Sequence, residues 1–563
     1  MTGYPSIDRP WMKNYKKSLS DVELPTGSMY DYLYECNKSQ MNDEAVIYFH
    51  RKIKYAELFK IIDNVAVAFI NIGIKEGDIV TLALPNIPEN IFCLYALNKI
   101  GAVVDFIDLR IKGQELLEML QDTESKLAII CNMFAQNFFE IVEETSIEKM
   151  IVVSPFDSLN PLLKILKDTK TKLPTNGILW KDFIKNEAGT TFSNPGKADN
   201  PACIFHTSGT TGKSKGAVFT NQGCNAMALQ SKHVPLRFES GKRMMNQVPP
   251  FLAFNIICSL HLPMSQHMKM VLLPDYRPDE FAKRIVKTKA TACLAGPADW
   301  GNFLESKQYK RNGKSVSQLL TPLCGSDAIN DKTKQSINEV LKAEGSEAEI
   351  YEGYGMTEIG SAACANLPGA VKSKSVGVPF CFNNFCIWDN EGEKELPYNE
   401  IGEICMTGPT LMKEYYNNPE ETSSALRMHP DGQIWLHSGD LGRIDEDGFV
   451  FIEGRLKRII VNHNGFKISP FEIEKTIIQS DYVSECCAVG VHDAEHGMGS
   501  VPVVWIVMNG EYKDEEMVKK HLKSLCGSNL TEKYQPSEFR FIEQLPLTPN
   551  GKVDYRKLED LSK

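Results

Sequence analysis

The segment best equipped for chemistry runs from Thr207 to Gly216 and reads TSGTTGKSKG. It follows the apolar run Ala202–Phe205 and precedes Ala217–Thr220, two stretches whose composition predicts strands. The segment gathers backbone N–H groups, hydroxyls and two lysine ammonium groups, and it contains no bulky side chain. Such a loop suits a polyphosphate, because its donors can surround several anionic oxygens.

The residues of this loop leave two other interpretations open. A Gly/Ser/Thr-rich surface loop is the most common fate of such a composition. A P-loop is the other, because Gly212-Lys213-Ser214 matches the end of the GxxxxGK[ST] pattern. However, Thr207 stands where a P-loop has its first glycine, and a β-like run follows Ser214 where a P-loop requires a helix.

Further polar segments follow along the chain. Each could also be interpreted as a turn, a helix cap or a solvated surface charge without a function in binding or catalysis. The segment Tyr351–Glu358 combines an aromatic ring, a hydroxyl and a carboxylate, which suit a nucleotide base, a phosphate and Mg²⁺ respectively. The other segments are Cys324–Asn330 (CGSDAIN), Trp435–Gly442 (WLHSGDLG) and Leu545–Arg556 (LPLTPNGKVDYR).

In their order and approximate spacing, these segments resemble the signatures of the adenylate-forming (AMP-binding) superfamily, and its acyl-CoA synthetase branch in particular. The resemblance covers roughly residues 30 to 560. Three small departures stand out. Ser214 replaces the proline that usually precedes the second lysine, Ser326 replaces a glycine, and Ser438 replaces a threonine.

The resemblance implies roles for individual residues. ATP phosphates are expected at Thr207, Ser208, Gly209, Thr210, Thr211 and Lys215. Adenine and ribose are expected at Gly325, Ser326, Asp327, Tyr354, Gly355, Asp440 and Arg455. In catalysis, the Thr357 hydroxyl is expected on the α-phosphate, Glu358 on Mg²⁺, and Lys552 between the substrate carboxylate and the α-phosphate.

The implied reaction has two steps on one site. The acid carboxylate attacks the α-phosphate of ATP and expels pyrophosphate, and a thiol then attacks the acyl-adenylate and releases AMP. A small C-terminal domain turns about a hinge at Lys457 between the steps, withdraws Lys552 and presents Gly465 to the thiol tunnel. The stretch around Gly465 differs from the usual Val-Ser-Gly-Phe, because His463 and Asn464 precede the glycine.

The expected substrate is a fatty or other apolar carboxylic acid, held by Phe251, Phe254, Met356 and Ala362. Amino-acid-adenylating relatives have an aspartate where this chain has Leu252, and a leucine cannot pair a buried ammonium group. An α-amino acid is therefore not expected.

The expected thiol is that of coenzyme A, because few residues follow Lys552 and they leave no room for a carrier domain. The alternative is a freestanding enzyme that loads an acyl carrier protein. Two further hypotheses for the function are a P-loop-like ATP-binding protein and a catalytically inactive adenylate sensor. The sensor reading is disfavoured, since every charged residue that the chemistry needs is present.

The elements that must position these residues alternate between strand and helix from about residue 30 to residue 200. They include a predicted helix at residues 55–72, a predicted amphipathic helix at residues 89–100 and a predicted buried strand at residues 127–131. This alternation predicts α/β sheets covered by helices, with the stretch from residue 155 to residue 200 as an irregular excursion. From the resemblance we expect a small β-rich subdomain after these sheets, which includes residues 375–379 and 402–409. A new α+β pattern begins near residue 455, so residues 1–454 are predicted to form the large AMP-binding domain and residues 455–563 the smaller mobile domain.

Composition sets the broad limits. The 563 residues predict at least two domains, and 42% hydrophobic with 24% charged residues is typical of a globular protein. A net charge of −10 argues against nucleic-acid binding. The 15 scattered cysteines favour a reducing compartment, and the N-terminus has no apolar signal. The longest apolar run, residues 251–262, is too short to span a membrane, so we expect a cytoplasmic protein.

Overall fold

The computed structural model describes residues 2–15, 19, 22–159, 173, 176–185, 196–207, 214–311, 314–327, 329–510, 512, 514–547 and 553–562. The α-helices span Pro5–Asp8, Met29–Asn37, Tyr55–Asn71, Pro88–Lys99, Gly113–Thr123, Ala135–Phe139, Trp180–Phe183, Asn221–Gln230, Leu262–Ser265, Phe281–Thr288, Pro297–Ser306, Asp331–Ala343, Pro419–Ala425, Pro470–Ile477, Glu515–Asn529 and Tyr555–Ser562. A π-helix spans Phe254–His261. Within the described ranges, none of the helices has the length and apolar character that crossing a bilayer requires.

The first sheet carries the predicted phosphate loop. Its strands, in spatial order, are Glu414–Tyr415, Lys215–Thr220, Pro201–Thr207, Val103–Phe106, Ile79–Ala83, Leu127–Cys131, Lys149–Val153 and Gly177–Leu179. The six strands from Pro201–Thr207 to Gly177–Leu179 run parallel, and the two strands at the other edge are antiparallel to their neighbours. Parallel strands buried on both faces are apolar throughout, as the sequence of Leu127–Cys131 shows.

The second sheet carries the predicted adenine-binding segments. Its strands, in spatial order, are Val378–Pro379, Cys364–Ala365, Tyr351–Tyr354, Thr321–Cys324, Ala292–Ala295, Arg243–Asn246, Lys269–Leu272, Glu44–Tyr48 and Arg51–Lys54. Its central six strands, from Tyr351–Tyr354 to Glu44–Tyr48, are parallel. A third, antiparallel sheet contains Lys394–Glu395, Asn384–Asp389, Gly402–Thr407, Ile434–Ile444, Leu426–Met428 and Val450–Arg455.

The C-terminal part is a separate small α+β unit with its own apolar core around Ile473, Val504 and Leu522. Its sheet consists of Val483–His492, Ser500–Met508 and Glu538–Phe541. A short hairpin of Ile460–Val461 and Lys467–Ile468 precedes it. The predicted α/β architecture, with a large N-terminal part, a β-rich subdomain and a smaller α+β part, is confirmed.

Three sequence-based expectations need correction. Helix Pro88–Lys99 is buried on nearly all faces rather than amphipathic, because it packs against helices Met29–Asn37 and Tyr55–Asn71 and against strand Val103–Phe106. Even Glu89 is buried, with the Ser158 hydroxyl donating to it at 2.6 Å. The stretch expected to be irregular contains strand Gly177–Leu179, which pairs with Lys149–Val153 at the edge of the first sheet. Strand Val378–Pro379, expected in the β-rich subdomain, pairs with Cys364–Ala365 of the second sheet.

A close backbone approach at Gly377 joins the second and third sheets. Its φ is +97°, and an added Cβ would lie 1.8 Å from the carbonyl carbon of Ala365. The Val450 N–H donates to the Gly377 carbonyl at 2.8 Å, and the Val376 N–H donates to the Val450 carbonyl at 2.9 Å. Only glycine fits a backbone that is both left-handed and this close to a neighbour.

We expect Gly377→Ala to lower the free energy of unfolding by about 2–5 kcal/mol, the combined cost of left-handed strain and of the clash with Ala365. Gly369→Ala is the matched control: its φ is +82°, but an added Cβ meets no atom within 4 Å. It should cost only about 1–2 kcal/mol of strain. Thermal melting of both variants tests this, and equal losses would contradict the clash.

Candidate active site

The predicted phosphate loop connects two paired antiparallel strands. Pro201–Thr207 pairs with Lys215–Thr220, with His206 opposite Gly216 and Thr207 opposite Lys215. Of the predicted phosphate ligands, Thr207 and Lys215 therefore lie side by side where the loop leaves and re-enters the sheet. Ser208, Gly209, Thr210 and Thr211 lie outside the described residues. The P-loop interpretation is wrong, because strand Lys215–Thr220 stands where a P-loop begins its helix.

A buried contact between a histidine and an aspartate anchors the strand that leads into this loop. His206 Nε2 lies 2.6 Å from Asp105 Oδ1, and the Asp105 side chain is fully buried. Its Oδ2 accepts hydrogen bonds from the hydroxyls of Thr81 and Thr123, both at 3.2 Å. Both carboxylate oxygens are therefore satisfied, as a buried charge requires. Sequence reasoning missed Asp105, because nothing local marks a strand aspartate as the partner of a residue so distant in the chain.

A chain of contacts links Lys215 to the Tyr351–Glu358 segment. Lys215 Nζ lies 2.9 Å from Glu421 Oε2 and 4.5 Å from the centroid of the Tyr415 ring. The Tyr415 hydroxyl donates to Glu358 Oε1 at 2.6 Å, and Glu358 is buried. The hydrogen bond from Lys215 lowers the pKa of Glu421. Burial, and then the charge of Glu358, raise the pKa of Tyr415, so its hydroxyl stays a donor. Tyr415 and Glu421 were not predicted.

The predicted adenine residues lie on adjacent loops at one sheet edge. Strands Thr321–Cys324 and Tyr351–Tyr354 are parallel neighbours, with Cys324 opposite Glu352. The loops that follow them therefore leave the same edge, the usual location of ligands in parallel sheets. The first loop holds Gly325, Ser326 and Asp327, and the second holds Gly355, Met356, Thr357 and Glu358.

Both loops have constrained backbones. Ser326, which replaces a family glycine, has φ of +74°, the left-handed region that glycine adopts more easily. A Cβ on Gly355 would lie 2.4 Å from the Ser361 carbonyl oxygen. Thr357 begins the 3₁₀ turn Thr357–Ile359, and the Met412 N–H donates to the Glu358 carbonyl at 2.8 Å. The Thr357 and Glu358 backbone therefore has a fixed place beside Tyr415.

The predicted ribose acceptor, Asp440, joins three strands. Its Oδ2 accepts from the Tyr354 hydroxyl at 2.7 Å, and its Oδ1 lies 2.9 Å from Arg455 Nε. Asp440 is buried, whereas the Arg455 side chain is half-exposed. Burial, followed by the charge of Asp440, raises the pKa of Tyr354. The structure thus brings Tyr354, Asp440 and Arg455 together, and they bind one another.

A second set of hydrogen bonds fixes the turn before Asp440. The Ser438 hydroxyl donates to the Ile404 carbonyl at 2.6 Å and accepts from the Asp440 N–H at 3.0 Å. Glu403 Oε1 accepts from the Gly439 N–H at 2.8 Å, and its Oε2 lies 2.7 Å from His437 Nδ1. The Ser438 hydroxyl thus fixes the backbone at Asp440, and Glu403 is a positioning residue that sequence reasoning missed.

An apolar cavity of about 80 Å³ adjoins the adenine loops. Gly325, Ser326 and Gly355 are part of its lining, and so are Phe254 and Ala362, two of the four residues predicted for the acyl pocket. Phe251 and Met356 are not among its lining residues; Phe251 lies under the Arg110 guanidinium and Met356 packs beside the core of the third sheet. The remaining lining residues include Met227, Gln230, Val234, Leu236, Phe238, Cys258, Leu294 and Phe380.

The remaining predicted residues belong to the C-terminal part. Lys552 lies outside the described residues. Lys457 lies in the 3₁₀ turn Leu456–Arg458, directly after the strand that ends at Arg455. Gly465 lies at the tip of the hairpin between Ile460–Val461 and Lys467–Ile468, with φ of +75° and no atom within 4 Å of an added Cβ.

Comparison with known proteins agrees with this arrangement. Residues 33–416 match the model of the AMP-binding enzyme family, and residues 472–552 match that of the AMP-binding enzyme C-terminal domain. The chain is 26% identical to the long-chain-fatty-acid–CoA ligase of Bacillus subtilis (strain 168), covering 98% of this chain and 97% of that one. It is 25% identical to 4-coumarate–CoA ligase 1 of Petroselinum crispum, covering 96% and 95%.

Solved structures show the same fold. The anthranilate CoA ligase AuaEII in complex with anthranoyl-AMP superposes with a TM-score of 0.82 at 22% identity, covering 97% of this chain and 98% of that one. ATP-bound MatB from Rhodopseudomonas palustris gives 0.80 at 24% identity, covering 94% and 98%. The family model covers more than half of the chain, and the predicted family is confirmed. The chain belongs to the AMP-binding enzyme family, in the acyl-CoA ligase branch of the adenylate-forming enzymes, and is an AMP-forming acid–thiol ligase.

Proposed function

We propose that this chain activates an apolar carboxylic acid with ATP to an acyl-adenylate and then transfers the acyl group to the thiol of coenzyme A. The observation that carries the proposal is a shared wall: Gly325, Ser326 and Gly355 line the apolar cavity and also belong to the loops predicted to hold adenine. An acid in the cavity and a nucleotide on these loops would meet at this wall.

In the first step, a carboxylate oxygen bonds to the α-phosphorus while the bond to the bridging oxygen breaks and pyrophosphate leaves. Two anions must approach each other, so positioning and charge stabilisation supply most of the rate increase. Lys215 and Thr207 flank the leaving phosphates, the Thr357 hydroxyl donates to the α-phosphate, and Lys552 bridges it to the acid.

The residues at Glu358 fit a Mg²⁺ ion. A buried carboxylate offers the hard oxygen that Mg²⁺ prefers, and the Tyr415 hydroxyl holds one of its oxygens in place. When bound, the ion offsets phosphate charge. Lys215 pairs with Glu421, and we expect the phosphates to replace this carboxylate as the partner of the Lys215 ammonium group.

Domain rotation about Lys457 is supported by the anchoring on its two sides. Arg455 is bound to Asp440 of the third sheet, whereas Arg458 binds Glu474 and donates to the Ala488 carbonyl at 3.1 Å within the C-terminal unit. The residues between them are left to absorb a change in backbone angles. The proposed boundary at residues 454/455 also lies between the two matched family segments.

Two exposed ion pairs between the domains also support rotation. The ion pairs Lys332–Asp481 and Lys467–Glu391 join side chains that are 67–87% exposed. Such pairs contribute about 0–1 kcal/mol each. The attachment that they provide is weak enough for binding of substrates to change the domain orientation.

The acid is proposed from the cavity lining, which carries no charged side chain among the described residues. A buried ammonium or second carboxylate would have no partner there, which disfavours α-amino acids and dicarboxylates. The related fatty-acid and 4-coumarate ligases both act on acids with a large apolar part. The lining contains a polar atom that could bind a donor on the acid. Gln230 is buried and lines the cavity, and among the described residues its Oε1 has no hydrogen-bond partner.

The proposal is tested by following AMP and pyrophosphate release with ATP, Mg²⁺ and a panel of acids, each with and without coenzyme A. We expect stoichiometric AMP and an acyl-CoA product with apolar acids. Pyrophosphate release and trapping of the acid by hydroxylamine that coenzyme A leaves unchanged would point to a carrier-protein thiol. Formation of ADP and orthophosphate would contradict adenylation.

We expect Lys552→Ala to slow adenylate formation roughly 100- to 1,000-fold, since it removes a cation from the point where the two anions meet. Transfer from chemically prepared acyl-adenylate to coenzyme A should be nearly unchanged, because Lys552 is withdrawn in that step. Lys557→Ala, a change of an exposed lysine on helix Tyr555–Ser562, is the control for both assays. Equal loss of both half-reactions would contradict the assigned role.

We expect Tyr415→Phe to raise the Mg²⁺ concentration for half-maximal pyrophosphate release roughly 10- to 100-fold, because the hydroxyl that holds Glu358 is lost. Saturating Mg²⁺ should restore most of the rate. Tyr416→Phe, the same change at the next residue, is the control. An unchanged Mg²⁺ dependence in Tyr415→Phe would argue against Glu358 as the Mg²⁺ ligand.

We expect acids whose far end carries a hydroxyl group or an uncharged aromatic amino group to have kcat/KM values about tenfold above those of the matched acids without it, because the donor pairs Gln230 Oε1. Gln230→Met keeps the length and removes the acceptor, so it should abolish the preference. Met227→Leu, an apolar change in the same wall, should keep it. A preference that persists in Gln230→Met would show that Gln230 does not bind the donor group at the far end of the acid.

A further inference from the structure

A cluster of metal-binding side chains lies in the C-terminal unit, apart from the nucleotide and acid residues. His463 comes from the hairpin turn at residues 462–466, and Asp493 and His496 come from the loop between strands Val483–His492 and Ser500–Met508. His463 Nδ1 lies 3.2 Å and His496 Nδ1 lies 2.8 Å from Asp493 Oδ2. One ligand atom from each residue lies within 4.8 Å of the others.

The aspartate is held in position by its own loop. Asp493 Oδ1 accepts the backbone N–H groups of Glu495 and His496 at 3.1 and 3.2 Å, and the side chain is almost fully buried. The second oxygen, Oδ2, is the one that faces both imidazoles. One oxygen thus fixes the carboxylate, and the other points at the two histidines.

The two loops are packed against each other at Gly499. A Cβ on this glycine would lie 2.4 Å from the His463 backbone nitrogen, and its carbonyl accepts the Asp493 N–H at 3.1 Å. The backbones that carry His463 and Asp493 are therefore held at a fixed separation. No bulkier residue could take this position without pushing the loops apart.

We propose that His463, Asp493 and His496 form a Zn²⁺ site with one coordination position open to solvent. Ligand atoms bound to one tetrahedral Zn²⁺ at about 2.0–2.1 Å lie about 3.3 Å apart, close to the two separations seen here. Two imidazoles and a carboxylate favour Zn²⁺ over Mg²⁺, which prefers oxygen ligands. The site is independent of the Mg²⁺ position proposed at Glu358.

Two adjustments complete the site. The imidazole rings lie nearly parallel, at an interplanar angle of 8° and a centroid separation of 3.6 Å, so the half-exposed His496 ring must turn to aim its lone pair at the ion. Asn464 Nδ2 lies 2.9 Å from His463 Nε2. An amide flip presents the Asn464 oxygen instead, which then accepts the Nε2–H of a zinc-bound His463.

Another cluster, Cys405 with His429 and His437, is a poorer candidate. It is completely buried, His437 is bound to Glu403, and the two histidines bind each other at 3.0 Å. Its polar atoms already have partners, and an ion would have no open path from solvent. The His463 cluster, in contrast, is accessible through His496.

A bound ion would link the turn that carries Gly465 to the loop at residues 493–499. Zn²⁺ should therefore restrict the motion of this turn, which is the one predicted to shape the thiol tunnel. The expected signature is reduced amide hydrogen exchange in residues 462–466 and 493–499 together.

The test uses the full-length chain freed of metal and titrated with ZnCl₂ by calorimetry in excess Mg²⁺. We expect one Zn²⁺ equivalent for the native chain, and at least a tenfold weaker affinity in His463→Ala, Asp493→Asn and His496→Ala. His492→Ala, a change of an exposed histidine beside the cluster, should keep native affinity. Zn²⁺ should also protect both loops from exchange in the native chain and not in Asp493→Asn.

His496→Ala keeps the test decisive if another variant folds poorly, because this side chain is half-exposed. Failure of the native chain to bind Zn²⁺ would overturn the proposal and leave a hydrogen-bonded Asp–His cluster. Equal affinity in the native chain and in His496→Ala would also overturn it, since Zn²⁺ would then be bound elsewhere. Neither result would bear on adenylate formation.

Discussion

The buried carboxylate of Asp440 is the constraint on which the nucleotide side of this site depends. A carboxylate in the protein interior is stable only if donors satisfy it, and here the donors come from different parts of the fold. Tyr354 ends a strand of the second sheet, and Arg455 ends the last strand of the third. The hydrogen bond from Tyr354 to Asp440 holds the second and third sheets together at the edge where the adenine loops emerge. If ribose hydroxyls bind Asp440, they compete with Arg455, the residue just before the proposed hinge.

The Lys215–Tyr415–Glu358 chain has a comparable role on the phosphate side. Strand Glu414–Tyr415 pairs with Lys215–Thr220, so the ring under the Lys215 ammonium and the hydroxyl on Glu358 belong to one residue. The two proposed means of offsetting phosphate charge, a lysine and a metal-binding carboxylate, thus have their positions set by the same side chain. Glu421 pairs with Lys215, and a bound phosphate group would have to replace this carboxylate.

The sequence made part of this structure predictable. Apolar runs such as Leu127–Cys131 and the helical spacing of Tyr55–Asn71 were found nearly to the residue, because local composition determines them. The Tyr351–Glu358 segment was found because its functional side chains are neighbours in the chain. Asp105 and Tyr415 were missed, because their partners lie far away in sequence. Strand Gly177–Leu179 was missed because pairing at a sheet edge, rather than its own composition, makes it a strand. Gly377 matters only through the approach of Ala365.

The C-terminal unit combines a firm core with weak attachment. Its interior is packed around Ile473, Val504 and Leu522, while exposed ion pairs make part of its contact with the larger domain. Such a unit can turn as a rigid body, because breaking exposed pairs costs little compared with disturbing a packed core. Its hairpin is different: Gly465 lies at an open tip, and Gly499 packs only against the base of the turn. Rotation of the rigid core would therefore move this tip without fixing the conformation of the tip itself. A Zn²⁺ ion bound by His463 would restrict the conformation of this turn, which is proposed to shape the path of the thiol in the second step.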